Sequence, residues 1–311
     1  MTTMLIVGGT GDTGSWFARY FRDRGFVVLV WGPSGKVQVA ESMGVAWASD
    51  LDRAVEESDV VVISVPIERT VEVIRDLAPR MKPGSLLMDV TSLKSEPLRA
   101  MDAFAPAGVE VLGTHPMFGP TMPRLEGQTI ILTPAKGRGQ AWLVRLREIF
   151  EADGASIEVL SAEEHDEIMA VVQALTHFAY IGIGSALRAL DFDVARSRRF
   201  MSPVYEIMLD FVGRILDQSP ELYASIQQNP RATRVRQVFI GECMRLAERA
   251  ESGDLAGFQD IMRLAAQHYG QTHQALLRSD RIINARVRER DGNPGDGNPG
   301  DRSTGDGNPG S

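Results

Sequence analysis

The sequence predicts a doubly wound α/β domain followed by an all-helical domain. Three observations carry this. Up to about residue 160, short runs rich in Val, Ile and Leu alternate with amphipathic stretches. A glycine-rich turn joins the first run to the first amphipathic stretch. Beyond residue 160, apolar residues recur at three- and four-residue spacing as far as Arg290. The expected organisation is therefore 1–160, 161–290 and a tail, 291–311.

The predicted strands are Met4–Val7, Phe26–Trp31, Val60–Val65, Leu86–Val90, Val109–Leu112, Thr129–Leu132 and Ser156–Leu160. Most show little apolar–polar alternation, as strands buried on both faces of a parallel sheet do. Helical stretches such as Trp16–Arg24 and Thr70–Leu77 lie between them. Ser161 and Glu164 have the spacing of a capping box and open a long helix, about Ala162 to Leu190. Pro203, Pro220 and Pro230 mark later breaks. The tail repeats DGNPG and has no aliphatic or aromatic residue. It has too little apolar area to offset the entropy of ordering, so disorder is expected.

Gly9-Thr10-Gly11-Asp12-Thr13-Gly14 fits G-x-G-x-x-G between a strand and a helix. In that context the first glycine permits the tight turn, the second lets a pyrophosphate approach the backbone, and the third lets helix and strand pack. Free N–H groups at the helix start then face the phosphates. A dinucleotide is the expected ligand of this Rossmann-type half. After the second strand comes Gly32-Pro33-Ser34-Gly35-Lys36, with no carboxylate for a ribose 2′-hydroxyl. Ser34 and Lys36 suit a 2′-phosphate, which favours NADP over NAD.

Ligands of such sheets lie at the carboxyl ends of the strands. Ser64-Val65-Pro66, Asp89-Val90-Thr91-Ser92-Leu93-Lys94 and Gly113-Thr114-His115-Pro116 stand there. Ser64 and Pro66 are expected beside the cofactor. Ser92 and His115 place a hydroxyl and an imidazole where a nicotinamide would lie. Oxidation of an alcohol needs a proton acceptor, and histidine titrates near neutral pH. A histidine after a strand is equally compatible with a structural role. In the helical half, Gln173, His177 and Gly184 share one helix face at spacings of four and seven. Arg214 stands among apolar residues, where a buried guanidinium requires an anion, either Asp210 or a ligand carboxylate. His165 and Asp166 at the helix start read as structural or as part of a hinge, and His268 and His273 as solvent-facing.

Asp and Glu number 41 against 33 Lys and Arg, a net charge of −8, of which the tail supplies three. The acidic balance argues against a nucleic-acid partner. One cysteine, Cys243, excludes an intrachain disulfide and a CxxC pair, and no metal is expected. No run approaches about 18 apolar residues and no signal peptide is evident, so a cytoplasmic protein without a membrane span is expected. Small residues at Gly182, Gly184, Ser185 and Ala186 suit close helix approach, and a homodimer through the helical domain is expected.

Taken together, VGGTGDTG, ISVP, DVTSLK, THPMFGP, EEHDEIMAVVQALTHFAYIGIG and FVGRILDQSPELYASIQ resemble the prephenate dehydrogenase family of tyrosine biosynthesis, in its archaeal-type branch. The resemblance spans about residues 4 to 280. It implies oxidative decarboxylation of prephenate to 4-hydroxyphenylpyruvate with hydride transfer to NAD(P)+. It also implies His115 as base, Ser92 holding the substrate hydroxyl and that histidine, and His177 and Arg214 facing a prephenate-like dianion; Gln173, on the helix face of His177, is expected beside them. Arogenate and the 4-amino-4-deoxy analogue of prephenate share this ring chemistry; a non-catalytic NAD(P) sensor is the remote alternative. Many bacterial members carry Gly-Thr-Glu after the His-Pro pair, where this sequence has Gly119-Pro120-Thr121. The glutamate contact of that loop is therefore not carried over. With the glycine turn at the start of the sequence no mutase extension is expected, and with only the tail after the helices no regulatory module is expected.

Overall fold

The computed structural model describes residues 1–290. The expected tail, 291–311, lies outside the described residues. Eight strands form one sheet in the order β3-β2-β1-β4-β5-β6-β7-β8. They are β1 (Thr3–Val7), β2 (Val27–Trp31), β3 (Ala46–Trp47), β4 (Val60–Ile63), β5 (Leu86–Asp89), β6 (Glu110–Pro116), β7 (Thr129–Pro134) and β8 (Ser156–Val159). The helices among them are α1 (Asp12–Arg22), α2 (Val37–Ser42), α3 (Leu51–Glu57), α4 (Ile67–Leu77), α5 (Ser95–Phe104) and α6 (Gln140–Ala152). The chain turns outward in both directions from β1, whose neighbours are β2 and β4. That reversal creates a crevice at the carboxyl edge.

Alternation along β1 explains why the central strands read as unbroken apolar runs. Met4 and Ile6 join one core with Phe17, Phe21 and Phe150. Leu5 and Val7 join the opposite core with Ile74, Leu77 and Met101. Both faces of β1 are covered, so both sets of its side chains at residues 4–7 are apolar.

The sheet departs from the sequence expectation in two ways. β3 has two residues, too short for a periodic signal. β6 and β7 pair antiparallel, with His115 opposite Ile131. That pairing extends β6 through Thr114, His115 and Pro116, so His115 lies within the strand rather than in the loop after it.

The later helices are α7 (Ala162–Met169), α8 (Thr176–Ala189), α9 (Val194–Ser197), α10 (Pro203–Leu216), α11 (Pro220–Ile226), α12 (Ala232–Glu251), α13 (Leu255–Tyr269) and α14 (Thr272–Arg290). The capping box is formed at the start of α7: Glu164 N donates to Ser161 Oγ at 3.2 Å and Ser161 N to Glu164 Oε2 at 3.0 Å. The expected single helix is interrupted. Ala170–Leu175 winds as a wider π-helical segment. Such segments are rare and sit at functional sites more often than chance. Gln227 Nε2 donates to the Ala174 carbonyl at 2.8 Å, a contact from outside that supports the wide turn.

Packing divides the described residues into two compact units, one of Met1–Ala186 with Arg214–Phe239, the other of Leu187–Gly213 with residues 240–290. The helices that begin at residue 161 therefore pack first with the sheet, although the sequence pattern changes at about 160. Ala162–Ala189 is also long and apolar enough to cross a membrane by length and composition, with mean hydropathy 1.4. A count of consecutive apolar residues does not show it, because Gln173, Thr176 and His177 interrupt the apolar stretch between Ile168 and Gly184.

Candidate active site

Glycine geometry fits the turn after β1 to a dinucleotide. A Cβ on Gly14 would meet the Gly8 carbonyl oxygen at 2.3 Å, and one on Gly9 would meet Val30 Cγ1 at 2.5 Å. Those two glycines are demanded by packing. A Cβ on Gly11 would meet only the Gly8 oxygen, at 3.4 Å. Packing does not demand that glycine, and its bareness leaves open backbone at the start of α1. α1 has no side-chain cap, so its first N–H groups face outward. A cavity of about 230 Å³ joins Gly11, Asp12, Thr13 and Gly14 to Ser64, Val65, Pro66 and Ile67, then to Val90 and Thr91. The structure thus brings Ser64 and Pro66 to the glycine turn. A Cβ on Gly32 would stand 3.0 Å from Thr10 Oγ1, so the loop carrying exposed Ser34 and Lys36 starts beside the same turn.

His115 lies three strands from β1 on the same carboxyl edge, about 14 Å across the sheet. It is 3% exposed. Its Nδ1 stands 2.8 Å from His165 Nε2, and His165 Nδ1 stands 2.8 Å from Asp166 Oδ1. Asp166 in turn accepts the backbone N–H of Lys94 at 2.9 Å and of Ser95 at 3.0 Å, at the start of α5. Burial pushes the Asp166 carboxyl up, but hydrogen bonds from His165, Ser95 and Lys94 outweigh it and hold it at about 2. Burial, then His165 and Lys94, push His115 well below 6.5. His165 is lowered as well, by burial first, against the opposing pull of Asp166. Sequence reasoning read His165 and Asp166 as structural or hinge residues. Their contact with His115 spans fifty residues, and no local spacing signals it.

Beneath this chain lies a second buried cluster. Lys94 and Asp89 are both 0% exposed and form an ion pair. Lys94 Nζ also donates to the Thr114 carbonyl at 3.0 Å. Burial lowers the Lys94 ammonium, and Asp89 raises it. The Asp89–Lys94 pair frames the half-buried Ser92, which lies in the bend between β5 and α5.

The wide turn carries the remaining candidates. Gln173 Oε1 and His177 Nδ1 are buried atoms without hydrogen-bond partners. Such orphans are uncommon, and a polar ligand would satisfy both. Burial lowers His177 to about 4. Its ring meets the edge of Tyr223, centroids 4.5 Å apart. Tyr223 and Ile67 pack against the cluster of Ala170 and Ala174, which brings α11 and the start of α4 to the wide turn. Burial raises the Tyr223 hydroxyl, and nearby Arg214 lowers it. Tyr223 thus joins the candidate residues, and nothing in the sequence singles it out.

Arg214 departs from expectation. It is exposed, so no burial penalty forces it to find an anion. Asp210, its expected structural partner, is engaged by Arg286 and lies 3.8 Å from Arg198. Among the described residues no carboxylate pairs with Arg214, so its guanidinium is free for a ligand. The structure thus gathers two clusters in the first unit, one around His115 and one around His177, Tyr223 and Arg214. α7 and the wide turn join them. His268 and His273 are exposed, as expected.

The fold, the glycine turn and its cavity define a Rossmann-type dinucleotide-binding domain joined to a helical domain. Residues 17–159 match the family model for the prephenate dehydrogenase nucleotide-binding domain, and residues 161–265 the model for its dimerization domain. The chain belongs to the prephenate dehydrogenase family. It is 41% identical over 293 residues to a probable arogenate/prephenate dehydrogenase of Methanocaldococcus jannaschii, covering 92% of this chain and 66% of that relative. It is 31% identical to a 4-amino-4-deoxyprephenate dehydrogenase of Streptomyces pristinaespiralis, covering 88% and 95%. Prephenate dehydrogenase from A. aeolicus, solved with hydroxyphenyl propionate and NAD+, shares the fold at TM-score 0.69 and 20% identity, covering 87% and 98%.

Proposed function

We propose that this chain oxidises and decarboxylates prephenate to 4-hydroxyphenylpyruvate, a step of tyrosine biosynthesis. The observation that carries the reading is the buried imidazole of His115, on the same sheet edge as the glycine turn. Gly9 to Gly14, Ser64 and Pro66 hold the dinucleotide, which supplies the hydride acceptor when bound. Ser92 and His115 receive the ring hydroxyl, and His115 takes its proton as the carbonyl forms. Electrons drawn through the ring release carbon dioxide as the ring becomes aromatic. Gln173, His177 and Arg214 hold the substrate carboxylates, Arg214 by paired N–H donors. Positioning and proton acceptance are the protein's main contributions.

Arogenate is the second reading, favoured by the name of the archaeal relative. The amino analogue is the third, from the Streptomyces relative. Dinucleotide reduction measured with each of the three compounds, using NAD and NADP in turn, tests the reading. Turnover of prephenate is expected; turnover of none of the three would overturn the assignment.

NADP is the proposed cofactor, on Ser34, Lys36 and the missing carboxylate in their loop. K36A should raise KM for NADP by roughly ten- to hundredfold, the worth of one charged hydrogen bond, and leave KM for NAD unchanged. Equal effects on both would refute the 2′-phosphate contact.

The pH dependence follows from burial of His115. A base whose pKa is depressed stays unprotonated until the pH falls below its usual range. kcat/KM should therefore remain level as the pH falls to 6.5, with its acid limb below that value. An acid limb above 6.5 in the pH–rate profile would contradict the assignment.

A homodimer is part of the proposal. The second unit buries few side chains, chiefly Leu209, Val212 and Ser197. Phe200 is 74% exposed and Leu264 64%. Helices with so little buried surface need a partner to be stable. Sedimentation should show a dimer whose dilution costs helix content; a stable, fully helical monomer would contradict it.

A further inference from the structure

We propose that His165 and Asp166 are positioning residues that fix the tautomer of His115, so that its bare Nε2 faces the substrate. The inference deepens the assignment of His115 as base and rests on that reading. It follows from donor and acceptor arithmetic along one buried line. The Asp166 carboxylate only accepts. Its Oδ1 stands 2.8 Å from His165 Nδ1, so that nitrogen carries the proton. A neutral imidazole carries one N–H, so His165 Nε2 is bare and accepts. It stands 2.8 Å from His115 Nδ1, which must then be the donor. The one proton of neutral His115 is thereby placed on Nδ1, and Nε2 keeps its lone pair.

Asp166 is suited to anchor this line because its own position is fixed from elsewhere. The backbone N–H groups of Lys94 and Ser95 donate to its two oxygens. Asn229, 1% exposed, donates from Nδ2 to its backbone carbonyl at 2.8 Å. The other charge facing the line is the Lys94 ammonium, which is tied to Asp89. When His115 takes a proton on Nε2, its Nδ1–H stays on His165. The new positive charge then lies one imidazole away from the Asp166 carboxylate. Both flanking residues act through His115 and need no contact with substrate.

Nitrogen-15 imidazole spectra of the full chain at neutral pH, without substrate, test the tautomer directly. His115 is expected with Nδ1 protonated and Nε2 bare; a proton on Nε2, or on both nitrogens, overturns the proposal. D166N supplies a second arm. With its amide nitrogen in place of Oδ1, at the loss of the Lys94 N–H bond, it donates to His165 Nδ1, which reverses every proton along the line and leaves an N–H on His115 Nε2. The expected result is a loss in kcat of at least about a hundredfold, with KM for the dinucleotide within about twofold and the His115 spectrum switched. D166N that keeps wild-type kcat, or leaves the His115 tautomer unchanged, overturns the proposal. Should D166N fail to fold, the wild-type spectrum decides alone. The spectrum needs no turnover, so a chain with the expected tautomer that oxidises none of the three compounds refutes the proposed activity and not the hydrogen-bond line.

Discussion

H115N is expected to lower kcat by ~10²–10⁴, the range for loss of a positioned general base. On the rate scale this is roughly 3–5 kcal/mol of transition-state stabilisation. Asparagine fits the end of β6, so the antiparallel pairing with β7 should survive. Its amide can still donate to His165 Nε2, which preserves the packing beneath. No basic nitrogen is left at the substrate side. Dinucleotide binding, read by fluorescence titration, should remain within a few-fold of wild type because the glycine turn lies three strands away. Near-normal turnover in H115N would remove His115 from the reaction.

D89A is expected to destabilise the protein by ~3–5 kcal/mol, the usual consequence of stranding one partner of a buried ion pair. Lys94 has no access to water, and its remaining contacts are the Thr114 carbonyl at 3.0 Å and the Thr91 hydroxyl at 3.5 Å. Neither offsets a full charge. For a domain of this size Tm should fall by roughly 6–20 °C. Adding K94M to D89A removes the stranded charge and should restore much of that loss. Thermal melts of the single and double variants distinguish the cases. A single variant as stable as wild type would mean that the pair carries no such burden.

The parts of this molecule legible in the sequence are those encoded by local spacing. The glycine turn follows from its G-x-G-x-x-G spacing, and the strands at residues 4, 27, 60, 86 and 129 from apolar runs that a sheet covered on both faces requires through most of their length. Two-residue β3 has no such pattern. The π-helical turn at Ala170–Leu175 leaves no mark in residue spacing, since outside contacts such as that from Gln227 stabilise it. Arg214 was misread for a related reason. Met208 to Val212 suggest burial, yet Leu209 and Val212 turn inward while Arg214 stays exposed on the same helix.

The candidate site was only half legible. His115 drew attention through the motif around it, not through periodicity. His165 and Asp166 resemble an ordinary acidic helix start, where charge favours the N-terminus. Their role depends on a contact formed only when α7 packs against β6 and α5. Tyr223 lies in a helix whose sequence suggests nothing beyond packing, and its contact with His177 exists only in the folded chain.

The central claim is that one active site couples oxidation to loss of carbon dioxide, with His115 as proton acceptor. The most direct test follows reduced dinucleotide and carbon dioxide together during turnover of prephenate by the wild-type protein. Equal amounts of both are expected from the first turnovers, with 4-hydroxyphenylpyruvate as product. Reduced dinucleotide formed without carbon dioxide, or neither formed, would contradict it.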